Sequence, residues 1–254
     1  MKKDKIIERN RYEERAKNVL NSKVEEEKKL GSENILIHLR EPYLEYENYI
    51  KKYIKPSYKV LEIGSGTGIH TFSILETGAK ITATDISRSS LKIVNKKYRS
   101  FVEVNKLKTK VADIEDLPFS DESFDAIASA GSLSYGSRKL VDNEIYRVLK
   151  PGGKFICVDS LNNNIIYRLN RFIGYIFGKR SLMTIKNMLS ISDINNLEKK
   201  YEEIEVRYYG GITFAIPFIS KVIGNKKASY FSTYVDRKYN IKKSAFKFVL
   251  FAKK

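Results

Sequence analysis

The sequence predicts an α/β fold: a seven-stranded, mostly parallel sheet with helices on both faces and an antiparallel last strand. Three observations predict it. Short apolar runs alternate with helix-compatible stretches between Lys59 and Ser160, glycine and proline punctuate the returns, and two more apolar runs, EEIEVRYY and AFKFVLFA, follow residue 200. Strands separated by helices run parallel, because each helix carries the chain back across a face of the sheet.

Residues 2–30 are dense in Lys, Glu, Arg and Asn, with Ile6, Ile7, Val19, Leu20, Val24 and Leu30 thinly scattered, the texture of an exposed helix ending at Gly31. The run Glu25-Glu26-Glu27-Lys28-Lys29 reads as a solvated face. A second helix follows Pro42, with Tyr43, Leu44, Tyr46, Glu47 and Ile50 at helical spacing, and stops at Pro56. Residues 1–56 are thus expected to be an N-terminal helical lid, and residues 57–254 the main domain. In the latter, KVLEIG is a strand, 69–77 a helix, KITATD the second strand and SRSSLKIVNKKYRSF a helix. A third strand lies near Thr109–Ala112, FDAIASA is the fourth, 138–149 a helix, and Pro151-Gly152-Gly153 turns the chain into the fifth, GGKFICVD. About forty residues then interrupt the alternation. Ile165, Ile166, Leu169, Phe172, Ile173, Ile176 and Phe177 make a helical apolar stripe there, so a helical cap over the sheet is expected at about 161–200. Gly and Pro between the last two runs suggest the antiparallel finish.

The chain has 254 residues, 42% of them hydrophobic, enough for one large domain with a full core. Its single cysteine, Cys157, excludes an intramolecular disulfide, a Cys-based zinc knuckle and a Cys-x-x-Cys pair, and fits a reducing cytoplasm. No stretch approaches the ~18 apolar residues of a membrane span, and MKKDKIIERN lacks the apolar run of a secretory signal, so a soluble cytoplasmic protein is expected. Lys and Arg number 47 against 30 Asp and Glu, a net charge of +17. Residues 151–254 hold 19 of those cations against 7 anions, a surplus of 12. Nucleic acid, an anionic membrane face, or a phosphorylated or nucleotide-linked metabolite would suit that field, as would plain solvent.

The chemistry concentrates in Val60-Leu61-Glu62-Ile63-Gly64-Ser65-Gly66-Thr67-Gly68, a strand running into three alternate glycines. A dinucleotide fingerprint would need glycine where Ile69 stands, and a P-loop would need Gly-Lys-Ser/Thr, so both phosphate cradles are disfavoured. Bare backbone at Gly64, Gly66 and Gly68 lets a ligand come close, while the Glu62 carboxylate suits an ammonium. Asp85 ends the second strand, where a carboxylate can accept from ribose hydroxyls. Asp113 ends the third and can accept from an adenine amino group while Ile114 packs on the ring. A nucleoside bearing an amino acid would satisfy all three.

These segments resemble the class I S-adenosylmethionine-dependent methyltransferases, in the branch typified by ubiquinone and menaquinone methyltransferases. VLEIGSGTG at 60–68 is similar to the family's first motif, TATD at 82–85 to its second-strand acid, ADIEDLPFSDESFDAI at 112–127 to its third-strand end, and YRVLKPGGKF at 146–155 to its helix-to-fifth-strand signature. The resemblance covers residues 59–159 and implies a Rossmann-like sheet with S-adenosylmethionine as cofactor and S-adenosylhomocysteine as product. It places Glu62, Gly64, Ser65, Gly66 and Gly68 around the methionine end, Asp85 on the ribose, Asp113 and Ile114 at the adenine with Ile86 on its other side, and Ser129 and Ala130 beside the methionine part. Ser65, Thr67 and Thr71 equally fit ordinary turn and helix-start chemistry.

Methyl transfer needs an acceptor held in line and water excluded; an oxygen acceptor also needs its proton removed. His38 and His70 are the only histidines. His70 reads as a helix-surface or packing residue near the cofactor, whereas His38 lies in a segment able to fold over the site, with Arg40 and Tyr43 as acceptor contacts. Tyr135, a few residues after the fourth strand, is the other catalytic candidate, or a stacking residue. No metal-ligand constellation is evident. Arg168 and Arg171, with Lys179 and Arg180, could hold a phosphate or carboxylate, and NNNIIYRLNRFIGYIFGKRSLMT is loosely similar to caps of methyltransferases associated with surface polysaccharides. The expected activity is therefore methylation, preferably on oxygen, of a small anionic or carbohydrate-linked metabolite. Amine, lipid or quinone, and RNA methylation are alternatives, as is a cofactor-binding protein without turnover. Tyr208, Tyr209, Tyr230, Tyr234 and Tyr239 among basic residues would suit RNA stacking, but no RNA-binding module is visible and no stable nucleic acid complex is expected.

Overall fold

All seven apolar runs join one sheet in the computed structural model, which describes residues 3–21, 31–177, 181–239 and 241–254. The strands are β1 (Lys59–Ile63), β2 (Lys80–Asp85), β3 (Leu107–Val111), β4 (Phe124–Ala130), β5 (Leu149–Ser160), β6 (Glu203–Tyr209) and β7 (Lys247–Lys253). Their spatial order is β3-β2-β1-β4-β5-β7-β6. β1 to β5 pair in parallel, and β7 runs antiparallel to both β5 and β6. β7 is thus the one reversed strand, as expected of the chain's last apolar run.

The two-residue period of a strand sends alternate side chains to opposite faces. Leu61, Ile63, Ile127, Phe155 and Cys157 enter one core, and Val60, Ala126, Ala128, Ile156 and Val158 the other. Helices α1 (Lys3–Asn21) and α2 (Glu41–Tyr53) precede β1; α3 (Thr71–Leu75) follows it, and α4 (Arg88–Lys97) with α5 (Arg99–Glu103) follows β2. α6 (Arg138–Val148) links β4 to β5, and α7 (Ile165–Ile176), α8 (Leu182–Lys186) and α9 (Ile191–Glu198) lie between β5 and β6. α10 (Ile216–Ile223) and α11 (Asn225–Tyr239) precede β7. Residues of α2, α3 and α4 fill the Val60 face; those of α6 and α9 fill the Leu61 face.

Three expectations need correction. Tyr46 and Ile50 of α2 are fully buried in the sheet core, so α2 packs into the main body, while α1 roofs the site and α2 reaches it through Tyr43. α1 is described over Lys3–Asn21, its expected end near Gly31 lying beyond residues outside the described ones, and it is not simply exposed: Lys5, Glu8 and Ala16 are buried beneath it. The 161–200 segment divides: α9 buries Ile194 and Leu197, but the apolar stripe of α7 faces solvent, and the residue α7 buries is Arg171. The Glu25–Lys29 charge run and Lys179 and Arg180 lie outside the described residues. Among the described residues, no helix is long and apolar enough to cross a membrane.

Candidate active site

The order β3-β2-β1-β4-β5 means that the chain moves outward from β1 in one direction and then, at β4, in the other. Such a reversal opens a crevice at the strands' C-terminal ends. A cavity of about 430 Å³ occupies it, lined by the ends of β1 to β4 and roofed by α1, a size suited to a small organic ligand.

The β1 turn supplies Gly64, Ser65 and Gly66 to the wall. Gly64 has φ +66°, and a Cβ there would lie 2.3 Å from the Cβ of Ser132, so glycine lets the β1 and β4 turns touch. Gly66, with φ +54°, has open space where a Cβ would stand, leaving bare backbone beside the cavity. The Ser65 hydroxyl is buried without a hydrogen-bond partner. Gly68 does not line the cavity; it packs against Tyr98, whose hydroxyl donates to its carbonyl at 2.7 Å. Glu62 also lies behind the wall, its carboxylate accepting from the Thr71 hydroxyl at 2.7 Å. Burial, aided by nearby Asp85, pushes its carboxyl up to about 7.

Asp85 and Ile86 line the β2 end. Asp85 accepts from the backbone amides of Gly66 (2.9 Å) and Ser87 (2.8 Å), one on each oxygen, and burial raises its pKa. A carboxylate has about four lone-pair sites, so acceptor capacity is left. Asp113 and Ile114 line the β3 end, and Ala130 the β4 end. Ser129 is held away, its hydroxyl sharing a 2.7 Å hydrogen bond with Ser132.

Four contacts hold α1 over this opening. Lys5 bridges Asp113 and Glu115 (2.7 Å to the latter), and Glu8 accepts from the Ser181 amide and Thr184 hydroxyl. The Tyr12 and Tyr135 hydroxyls hydrogen-bond each other, and Glu13 takes the Ser87 (2.7 Å) and Ser89 hydroxyls. Burial resists ionisation of Glu13, but the serine bonds prevail and bring its carboxyl down to about 2. Burial, then Tyr12, pushes the Tyr135 phenol well above its ordinary value, which keeps it protonated.

The site also holds a group that the linear sequence scattered. His70 lines the cavity with its ring stacked on Tyr43 (centroids 4.9 Å apart, 4° between planes), and its Nδ1 lies 3.8 Å from Glu47 Oε1, too far for a hydrogen bond. Burial opposes ionisation of Glu47, yet His70 and two bonds from Ser32 hold its carboxyl below the usual range. Tyr43 is thus at the site as expected. His38 and Arg40 are not. His38 lies on a short turn packed against α11, and Arg40 donates to the carbonyls of Glu33 (3.1 Å) and Ile35 (3.2 Å), bracing that turn. Arg168 is exposed on α7, and Arg171 is buried with its guanidinium donating to the Leu161 carbonyl at 2.8 Å; neither reaches the cavity. Among the described residues, no group of three or more His, Cys, Asp or Glu is placed to hold a metal ion.

Residues 61–157 match the family described as the methyltransferase domain, and that span runs from β1 to β5, supplying all four strand ends of the cavity. That span is similar to a methyltransferase domain. The sterol 4-C-methyltransferase of Caenorhabditis elegans is 32% identical over 157 residues, 56% of this chain and 47% of that protein. A ubiquinone/menaquinone biosynthesis C-methyltransferase of Geotalea daltonii is 31% identical over 112 residues, 41% of this chain and 46% of that protein. The chain thus spans about half the length of the curated relatives it matches. The fold is similar to that of a solved Haemonchus contortus phosphoethanolamine N-methyltransferase 2, in complex with phosphomonomethylethanolamine and S-adenosylhomocysteine. The TM-score is 0.58 at 17% identity, over 83% of this chain and 52% of that one.

Proposed function

We propose that the cavity binds S-adenosylmethionine and that the chain transfers its methyl group to a hydroxyl oxygen of a small anionic or carbohydrate-linked acceptor, releasing S-adenosylhomocysteine. One observation carries the reading: a bare Gly66 backbone, a partnerless Ser65 hydroxyl and the Asp85 and Asp113 carboxylates converge on one cavity at the strand switch. When bound, the cofactor supplies a methyl group on a positively charged sulfur, open to direct attack. Ser65 would meet its carboxylate or amino group, and Glu62 beneath would balance the ammonium. The free lone pairs of Asp85 suit two ribose hydroxyls. Asp113 suits the adenine amino group once Lys5 gives up part of its hold, with Ile86 and Ile114 lining the walls.

His70 supports an acceptor that must lose a proton, such as a hydroxyl, over a neutral amine. An imidazole is the side-chain type best suited to accept a proton near neutral pH, and its ring is fixed by Tyr43 and faced by Glu47. Tyr12 and Tyr135, joined through their hydroxyls, would position the acceptor and exclude water. Arg15 lines the cavity and replaces Arg168 and Arg171 as the cation for an anionic acceptor. A role in surface polysaccharide synthesis fits the likeness of residues 162–184 to caps of that group. Carbon is the second reading, favoured by the C-methyltransferase relatives, and His70 would serve it equally.

The test is methyl-labelled S-adenosylmethionine offered with hydroxylated anionic and sugar-linked acceptors, and mass spectrometry of the product. Label on oxygen, lost in His70→Ala with cofactor affinity kept, is expected. Label on nitrogen, or full activity in His70→Ala, would overturn the oxygen reading.

A further inference from the structure

α7 is folded inside out. Ile165, Leu169, Phe172 and Ile176 follow one another at helical spacing on one face, and that face points to solvent: Ile165 is 77% exposed and Leu169 60%. Arg171, on the opposite side of the helix, is the residue it buries. Water would favour the reverse arrangement, because a helix ordinarily buries its apolar stripe against a core. The same pattern recurs next door. On α10, Phe218 is 73% and Val222 85% exposed, one turn apart, and on α11 Tyr230 and Tyr234 stand out from the surface. Tyr167 of α7 donates to the Gly210 carbonyl at 3.2 Å and packs its ring 4.9 Å from Phe246, while Asn164 donates to the Ser244 carbonyl at 3.1 Å. The start of α7 is therefore pinned to both ends of the segment carrying α10 and α11, and α10 packs on α11. Exposed apolar helix faces tied together in this way mark an interaction surface.

Charge identifies the partner. Residues 161–190 contain no Asp or Glu, and residues 210–246 contain seven Lys or Arg against Asp236 alone. Asp236 is itself turned inward, accepting from the Gly210 (2.7 Å) and Gly211 (2.9 Å) amides. Arg168, Lys221, Lys226, Lys227, Lys242 and Lys243 thus lie on these helices or beside them along the chain, with no exposed acid of those two segments among them. A second copy meeting this face symmetrically would set like charges against like. A nucleic acid would leave the aliphatic side chains in water. An anionic lipid surface satisfies both features, taking the apolar side chains among its acyl chains, the tyrosines at headgroup level and the lysines on its phosphates. α7, at twelve residues, is too short to span and would lie in the interface plane.

We propose that α7, α10 and α11 form a docking face for an anionic membrane surface. The test is flotation of the full chain with vesicles of phosphatidylcholine alone or with roughly 30% phosphatidylglycerol. The wild type is expected to float with the anionic vesicles at least about tenfold more than with the neutral ones. The double substitution Leu169→Glu with Ile176→Glu should abolish flotation with the melting temperature unchanged, since both side chains are already in water. Lys226→Glu with Lys227→Glu should reduce it and flatten its salt dependence. No flotation, equal flotation with neutral vesicles, or a lipid-free dimer dissolved by the Leu169 and Ile176 substitutions would overturn the proposal, as would a shift of single-stranded RNA without flotation. The readout is binding alone, so it stands apart from methyl transfer.

Discussion

Glu62→Gln isolates one ionisation beneath the glycine turn. Glutamine keeps the shape, and its carbonyl oxygen can still accept the Thr71 hydroxyl that Glu62 now accepts at 2.7 Å. The Glu62 carboxyl is raised from 4.5 to about 7, first by burial and then by Asp85. A folded value above the unfolded one means that the native state holds the proton more tightly. Its contribution is therefore fully present below about pH 4.5 and is lost as the pH climbs to about 7. At 1.36 kcal/mol for each tenfold change, the loss approaches ~3 kcal/mol, with little discount for screening because the group is buried. Urea unfolding of wild type and variant across that range reads it directly. The variant should gain on the wild type by up to about 3 kcal/mol between the two pH limits. Parallel curves would refute the burial argument. An ammonium placed above Glu62 would favour the ionised form, so S-adenosylmethionine binding near pH 7 should expel about half a proton in the wild type and none in the variant. Calorimetry in two buffers of different ionisation heat measures that count.

Other perturbations separate structural from binding roles. Asp85→Ala should weaken S-adenosylmethionine binding by about 1–3 kcal/mol, the usual range for a lost charged hydrogen bond, seen by calorimetry; unaltered affinity would remove Asp85 from the ribose. Gly64→Ala should destabilise the fold by more than ~2 kcal/mol, through positive φ and the Ser132 clash. Gly66→Ala should cost only about 1–2 kcal/mol yet abolish cofactor binding, because its Cβ would point into space a ligand needs. Equal effects of the two in unfolding and calorimetry would sink that distinction. Glu13, held down to about 2 by its serine bonds, anchors α1 at neutral pH, and its contribution is lost as the pH falls from about 4.5 toward 2. Glu13→Gln should speed hydrogen exchange of the α1 amides at pH 7 while leaving β1 and β4 protected; unchanged α1 exchange would place the anchor elsewhere.

Much of this was legible because local rules coincide with the fold from β1 to β5. KVLEIG and KITATD are short apolar runs ending in glycine or acid and FDAIASA runs into Gly131, a texture that suits a buried parallel strand. The site's acids, Asp85 and Asp113, could be found because each ends a strand. His70 could not be grouped with Tyr43 and Glu47 of α2, since it comes from a separate segment and nothing in spacing shows that α2 turns Tyr43 onto His70. The roof was also hidden: α1 is polar along its length, and its anchors, Lys5, Glu8, Tyr12 and Glu13, each find partners far away in sequence. α7 shows the limit of amphipathic reasoning. Periodicity locates an apolar face, but what the face meets is decided by tertiary structure, which here buries Arg171 and turns Ile165 and Leu169 outward.

Titration calorimetry of the purified chain with S-adenosylmethionine and with S-adenosylhomocysteine, beside NADH as a control, tests the central claim most directly. The arrangement of Gly66, Ser65, Asp85 and Asp113 predicts binding of the first two, weakened in Asp85→Ala, and none of NADH. Absence of binding by both, with the chain folded, would contradict the assignment of the cavity.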